Sequence, residues 1–158
     1  MERLIIVDPY NEQQMRMLKE FDNGNIYDQL NTLRVSISKD DYLALEKEKN
    51  EIDSYLFLEK EGKIIDKCQI HIEKDIKLGR INLSVTSSKN VKKMLSLINA
   101  TAFHTLKIEE LFVEVGLGDN RLTSFLLSES YENLGVLDDK MIFLKEKEEV
   151  NEVQRMRV

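Results

Sequence analysis

The segment 89–106 constrains the fold more than any other part of this sequence. Its apolar residues recur at helical spacing, so they share one side of an amphipathic helix: Val91, Met94, Leu95, Ile98, Ala102 and Leu106. Alternating apolar residues in segment 111–115 predict a strand soon after it. Strands before and after one long helix are typical of an α+β domain.

Three predicted strands precede this helix as an antiparallel meander: 55–58, 64–73 and a third that follows the turn 77–79. The pair Glu61-Gly62 predicts the hairpin turn between the first two. Alternation divides the second strand into two faces. The apolar face holds Ile64, Cys68, Ile70 and Ile72, and the polar face holds Lys67, Gln69, His71 and Glu73.

The N-terminal third predicts one strand and two or three helices. Residues 4–7 form a short apolar run, and apolar residues at three-residue spacing predict a helix over 12–21. Segment 25–37 is ambiguous, because it allows either a second helix or a strand at 35–37. Ser38 followed by Asp41 resembles a capping box and predicts a helix over 39–49.

The C-terminal part predicts a loop at 116–120, a short helix capped by Asp119 or Asn120, and two closing segments, 131–137 and 141–144. The pair Asp138-Asp139 predicts the turn between these segments. We interpret 1–145 as one domain, because its length suits a single core. Residues 146–158 are interpreted as a charged tail.

Composition limits the partners and the compartment. A net charge of −6 opposes steering toward phosphate backbones or anionic lipid, so neither nucleic acid nor a membrane is expected as the main partner. A single cysteine excludes an intrachain disulfide. No run approaches the roughly 20 apolar residues of a membrane span, and the start does not resemble a signal peptide. These features predict a cytoplasmic protein.

One stretch near the C-terminus resembles a known family. The strand Leu111-Phe112-Val113-Glu114-Val115 is followed by Asp119-Asn120, a helix, and Ser130-Tyr131-Glu132-Asn133-Leu134-Gly135. Together with the element order, this resembles the GNAT superfamily of acyl-CoA-dependent N-acyltransferases, with Ser130-Tyr131 where the family has Gly-Phe. The resemblance implies a splayed mixed sheet flanked by helices, in which strands 79–86 and 109–115 separate.

The resemblance also implies a cofactor, acetyl-CoA or another acyl-CoA, held in that separation. Pantetheine would pair with the fourth strand, and pyrophosphate would lie at the start of the next helix, where unpaired amides and the helix dipole favour an anion. The residues that match these positions are Leu83, Val85, Ser87, Ser88, Lys89, Asn90 and Asn120. The acceptor, a small-molecule or peptide amine, would be covered by segment 23–38.

The loop before the helix departs from the family pattern. It contains no glycine, and Ser87 or Ser88 would cap the helix and occupy amides that a phosphate needs. Two interpretations stay open. Lys89, Lys92 and Lys93 either supply charge for an anion or form a solvated lysine face.

The catalytic candidates are His71 and Glu73, which point the same way from one strand. Histidine titrates nearest neutral pH, so it suits a general base, although a solvated sheet face is the alternative. Tyr131 is interpreted as a core aromatic, because the family's acidic Tyr is replaced by Leu126 or Leu127. Cys68 is interpreted as a buried structural thiol. His and Cys spacing predicts no metal site.

These observations lead to three hypotheses. The first is a GNAT-like enzyme that moves an acetyl or acyl group from acyl-CoA to an amine. The second is a catalytically silent GNAT-like domain used for binding or regulation, which the missing glycines and tyrosine favour. The third is a scaffold whose exposed strand edges pair into a homodimer.

Overall fold

A computed structural model describes residues 2–22, 25–83 and 90–148 of this chain. These residues form one seven-stranded mixed sheet with helices on both faces. The elements in chain order are β1 (Glu2–Ile6), α1 (Glu12–Phe21), α2 (Asn25–Ser36), α3 (Lys39–Glu48), β2 (Glu51–Lys60), β3 (Lys63–Glu73), β4 (Leu78–Asn82), α4 (Val91–Ala100), β5 (Glu110–Gly116), α5 (Asn120–Ser128), β6 (Glu132–Leu137) and β7 (Lys140–Glu146).

The strands lie in the order β1-β2-β3-β4-β5-β7-β6. Every neighbouring pair is antiparallel except β4 and β5, which run parallel from Leu78 beside Glu110 to Asn82 beside Glu114. The predicted meander is therefore confirmed as β2, β3 and β4. Strands 79–86 and 109–115 were predicted to separate, but they are paired as far as Asn82 and Glu114, because the β4–β5 ladder continues to the end of β4. Residues 84–86, the rest of the predicted fourth strand, lie outside the described residues.

The hairpin turns follow from their residues. Glu61 and Gly62 both have positive φ, at 52° and 79°, as a two-residue turn between twisted antiparallel strands requires. Asp138 and Asp139 adopt the same conformation between β6 and β7. Both turns were predicted from sequence and are confirmed.

The larger core lies on the face covered by α4 and α5. Met94, Leu95 and Ile98 of α4 are buried there, as their spacing predicted. The helix is shorter than predicted, because it begins at Val91 and passes into a π-helical turn over Thr101–Thr105. Leu106 donates to the Thr101 carbonyl across this turn (2.9 Å), which ends the regular hydrogen-bond pattern.

A smaller core lies on the opposite face, under α1. Met15, Met17 and Leu18 of this helix pack with Phe57 and Ile64 of the sheet. The prediction that Ile64 shares a face with Ile70 is wrong, because a bulge between Leu58 and Glu59 of β2 shifts the register of β3. At this bulge β3 has one extra residue, so the side chains before it and those after it alternate between the two faces of the sheet in opposite phase.

Segment 25–37 is helical, which resolves the ambiguity in the sequence. α2 spans Asn25–Ser36, and no strand forms at residues 35–37. The Asp22 carboxylate accepts hydrogen bonds from the amides of Ile26 (2.7 Å) and Tyr27 (3.0 Å), which stabilises the first turn. No helix in the described part of the chain is long and apolar enough to cross a membrane.

Candidate active site

An open cleft of about 640 Å³ crosses the polar face of β2, β3, β4 and β5. We call it the sheet cleft. Phe21 at the end of α1 and Ile26 in the first turn of α2 border it on the helix side. Its polar lining comes from the sheet and includes Asp53, Lys67, Gln69, His71, Arg80 and Glu114. The predicted polar face of β3 therefore forms part of a concave surface.

Strand register explains why these side chains meet. Asp53, His71 and Arg80 lie directly opposite one another on β2, β3 and β4. Residues opposite one another in neighbouring strands point to the same face, so they form one row across the sheet. Tyr55 and Gln69 lie opposite each other in the adjacent row.

His71 is held by a carboxylate that the sequence did not identify as part of the site. The Nδ1 atom of His71 lies 2.8 Å from the Oδ1 atom of Asp53, and its Nε2 atom lies 3.8 Å from the Oε1 atom of Glu51. A carboxylate only accepts hydrogen bonds, so Nδ1 carries the proton in this pair. Nε2 of the neutral ring is then an acceptor, which is the arrangement a general base needs.

Glu73 lies beside this pair, outside the lining of the sheet cleft. Together, Glu51, His71 and Glu73 offer ligand atoms within 4.8 Å of one another, a grouping that spacing along the chain did not predict. Exposed carboxylates also gather in this way without an ion, so we propose no metal site there.

A buried carboxylate joins the rim of the cleft to α2. The Oδ1 atom of Asp22 lies 3.2 Å from Nζ of Lys67, and Asp22 also caps the first turn of α2. Burial alone would raise the pKa of Asp22. The amides of Tyr27 and Ile26 and the Lys67 ammonium outweigh that effect and lower its pKa.

Three of the seven residues predicted to bind the cofactor can be located. Leu83 is buried and lines the sheet cleft, and its amide donates to the Glu114 carbonyl (2.7 Å), which prolongs the pairing of β4 with β5. Asn90 precedes α4, and Asn120 is the first residue of α5. The other four lie outside the described residues: Val85, Ser87, Ser88 and Lys89.

Asn120 lines a second surface, between α4 and α5, which we call the α4–α5 groove. It is open, measures about 540 Å³, and is also lined by Lys92 and Arg121. Asp119 caps α5 by accepting from the Leu122 amide (3.1 Å), whereas the Asn90 side chain makes no capping hydrogen bond to α4. Two cations near two helix starts favour an anionic ligand in this groove.

Tyr131 is 4% exposed and packs in the larger core, as predicted. Its hydroxyl contacts the Asn99 side chain, and burial raises its pKa well above the usual value. Cys68 packs against the same core, and burial raises the pKa of its thiol to about 12. Neither group is suited to give up a proton near neutral pH.

Asp53 is absent from the site predicted from sequence, because the predicted strand begins at residue 55 and leaves Asp53 outside it. The strand begins at Glu51 rather than at residue 55. Extending the alternation by two residues puts Asp53 on the same face as Tyr55. Glu114 was assigned to its strand, but only the parallel pairing of β4 with β5 brings it beside Asn82 in the sheet cleft.

No protein-family model matches this chain, and no curated protein matches it either. Solved structures do match. Mutant forms of the spermidine/spermine N-acetyltransferase SpeG from Vibrio cholerae superpose with a TM-score of 0.61 at 11% identity, over 99% of each chain.

Two further matches are complexes with the cofactor of the family. N-acetyltransferase PseH from Campylobacter jejuni with acetyl coenzyme A gives a TM-score of 0.53 at 12% identity, over 92% of this chain and 99% of that one. PaiA N-acetyltransferase from Thermoplasma acidophilum with coenzyme A gives a TM-score of 0.51 at 10% identity, over 93% of this chain and 99% of that one. The strand order, the parallel β4–β5 pair and these superpositions agree: the chain has the fold of the GNAT N-acetyltransferases.

Proposed function

We propose that this protein transfers an acetyl or another acyl group from acyl-CoA to the amine of a small molecule or peptide. The fold supports the reaction class, since the matching structures are N-acetyltransferases. The kind of acyl group and the kind of amine that accepts it are part of the proposal.

One observation carries the proposal: the parallel strands β4 and β5 both line the sheet cleft, and the helices that follow them in the chain, α4 and α5, both line the α4–α5 groove. Arg80 and Glu114 of these strands lie in the cleft, and Lys92 and Asn120 of these helices lie in the groove. A ligand bound beyond the carboxyl ends of β4 and β5 would be placed to reach both surfaces. Ligands of sheets that contain parallel strands commonly bind outside the carboxyl ends of those strands.

The groove would hold the anionic part of acyl-CoA, with Lys92, Arg121 and the start of α4 facing its phosphates. Bound acyl-CoA would supply a thioester carbonyl carbon for the amine to attack. The roles of Val85, Ser87, Ser88, Lys89, Asn90 and Asn120 in this binding stay predictions from the family resemblance.

His71 would take the proton that the attacking amine loses. Alkylamines are protonated near neutral pH, with pKa values close to about 10, so a base must accept a proton before or during attack. Nε2 of His71, with the Glu51 carboxylate 3.8 Å away, would accept this proton while Asp53 holds Nδ1. Glu73, the second catalytic candidate, would act only by its charge, because it lies outside the cleft lining.

A specific observation favours the alternative, a catalytically silent domain. The nearest tyrosine to the family's acidic position, Tyr131, is buried with a raised pKa and would not protonate a leaving thiolate. A thiol, with a pKa of about 8.5, is a sufficiently good leaving group to depart without an acid. The enzyme proposal therefore does not require Tyr131.

The test combines binding with turnover. Calorimetry with acetyl-CoA should give heat, and thiol release should be measured with a panel of primary amines. His71→Gln should abolish thiol release and keep the heat of acetyl-CoA binding, while the matched control His104→Gln, at an exposed helical position, should change neither. Heat without turnover for every amine would favour the silent domain. Neither heat nor turnover would reject both.

We also propose that a second copy of the chain pairs with β6. This strand lies at one end of the sheet, and its apolar residues are exposed, with Val136 at 62%. Exposed apolar edge strands readily pair with another strand. Light scattering should give twice the monomer mass, and Val136→Lys should halve it while Leu43→Lys, on α3, should not. A monomeric wild type would reject the dimer.

A further inference from the structure

A third cavity, separate from the α4–α5 groove, lies beneath α2 and shares Asp53 and Tyr55 with the sheet cleft. It measures about 210 Å³, and we call it the α2 pocket. Its apolar lining includes Leu30, Leu33, Ile37, Tyr42 and Leu45, and polar groups, among them those of Glu46, Lys49, Asp53 and Ser54, supply about half of the lining surface. A volume of this size has room for roughly seven non-hydrogen atoms, at the volume that a water molecule occupies in the liquid.

The α2 pocket exists because α2 does not close against the sheet. Leu30 and Leu33 face the sheet side of this helix, yet α2 contains no fully buried residue. α3, which supplies Tyr42 and Leu45, has no fully buried residue either. An apolar helix face normally packs to interior density, so a gap at this place leaves apolar surface available to a ligand.

Two elements run continuously from the sheet cleft into the α2 pocket. Asp53 and Tyr55 of β2 line both cavities. On α2, Ile26 borders the cleft, and Leu30 and Leu33 border the pocket at one and two turns farther along. A molecule whose amine lies at His71 and Asp53 can therefore extend under α2.

The far end of the pocket is neutral. Glu46 and Lys49 both line it, and Nζ of Lys49 lies 3.6 Å from Oε1 of Glu46. Because the two charges offset each other, this end of the pocket attracts a second ammonium group of a polyamine less than an unpaired carboxylate would. The aromatic side of the pocket is formed by Tyr42, whose ring packs on Tyr10 at 5.6 Å between centroids.

From this geometry we infer that the acceptor is a primary amine with an apolar arm, and that the arm occupies the α2 pocket while the amine lies at His71 and Asp53. The inference rests on the proposed acyl transfer and names its substrate class. It excludes a linear polyamine as the preferred acceptor, since the carbon chain of a polyamine is interrupted by cations that would lie among apolar side chains.

The test is a series of linear amines from ethylamine to octylamine, with saturating acetyl-CoA and with spermidine as the polar comparison. Burying one methylene should raise kcat/KM about fourfold. We expect kcat/KM to rise over several methylenes and to level off once the pocket is full. Hexylamine should exceed spermidine. A flat series, or a preference for spermidine, would overturn the inference.

Two variants on the same helix provide the matched control. Leu33→Asn puts an amide into the pocket and should lower kcat/KM for hexylamine about tenfold. Its kcat/KM for ethylamine should stay within about twofold of the wild-type value. Val35→Asn changes an apolar residue that is 74% exposed on the same helix, and it should leave the whole series unchanged. Equal losses for both amines in Leu33→Asn would indicate a general structural defect and would count against the pocket.

Failure of the inference can be distinguished from failure of the enzyme proposal. If acetyl-CoA does not bind and no amine is acylated, the proposed function is wrong. Calorimetry of hexylamine and ethylamine without acetyl-CoA then still tests the pocket. Tighter binding of hexylamine that Leu33→Asn removes would support the α2 pocket, and equal binding of both amines would reject it.

Discussion

The Asp22 carboxylate and the Lys67 ammonium, 3.2 Å apart, connect the first turn of α2 to β3 at the rim of the sheet cleft. Only 6% of the Asp22 side chain is exposed, and its second oxygen accepts from two backbone amides. One side chain therefore positions both the helix that borders the cleft and a cation that lines it.

Replacing Asp22 should destabilise the fold in a pH-dependent manner. Asp22→Ala leaves two amides and Lys67 without their acceptor, so we expect a loss of about 1–3 kcal/mol in the free energy of unfolding at pH 7. The folded pKa is lowered, so this stabilisation is fully present above the unfolded pKa and is lost as the pH falls below it. Urea unfolding at several pH values measures both effects.

Asp22→Asn serves as the control, because it keeps an acceptor oxygen and removes the charge. Its unfolding free energy should lie between those of the wild type and Asp22→Ala, and it should fall less steeply below about pH 4 than that of the wild type. An identical acid dependence in wild type and Asp22→Asn would contradict the assignment of the shift to this carboxylate.

Asp53 should influence activity through His71. Asp53→Asn removes the charge that fixes the Nδ1 proton, so we expect kcat to fall about 10²-fold or more, with little change in the KM for acetyl-CoA. Glu73→Gln is the comparison, and an equal loss there would argue against His71 as the base.

Gly79→Ala should destabilise the junction of β3, β4 and β5. A methyl group at this position would lie 2.7 Å from the Cδ1 atom of Ile108 and 3.0 Å from that of Ile70. Overpacking of this kind costs about 1–3 kcal/mol, measurable by denaturant unfolding. Ile108→Val removes the nearest atom, so the double variant should recover part of the loss. Strict additivity of the two losses would refute this explanation.

Cys68 should react slowly in the folded protein and make folding sensitive to alkali. Its thiol has a pKa raised to about 12 by burial and by Asp66, so very little thiolate forms at pH 8. A disulfide reagent should label it far faster in urea. Because the folded pKa is raised, the stabilisation is complete below the ordinary value of 9.0 and is lost as the pH rises toward about 12.

The Cys68→Ala variant provides the comparison for that measurement. Its unfolding free energy should decline less than that of the wild type between pH 9 and 12, since it has no thiol to ionise in the unfolded chain. Rapid labelling of the folded wild type at pH 8 would contradict the packing of Cys68 against the core.

Much of the fold was predictable because the informative signals are local. The apolar spacing of α4, the alternation in β3 and the turns at Glu61-Gly62 and Asp138-Asp139 all act between residues close in sequence. Ile64 shows where this fails. The extra residue in β3 has no strong local signature, because it depends on how β2 pairs with it.

By itself, the sequence determined the order of the elements and the polar face that contains His71, although it left segment 25–37 ambiguous and started β2 too late. Tertiary structure alone decided that Asp53 holds the His71 ring, that Glu114 reaches the same cleft, and that α2 leaves a pocket beside it. The physical reason is distance along the chain. Residues 53, 71 and 114 meet only through strand pairing, and the gap under α2 results from incomplete packing between segments that carry no common local pattern.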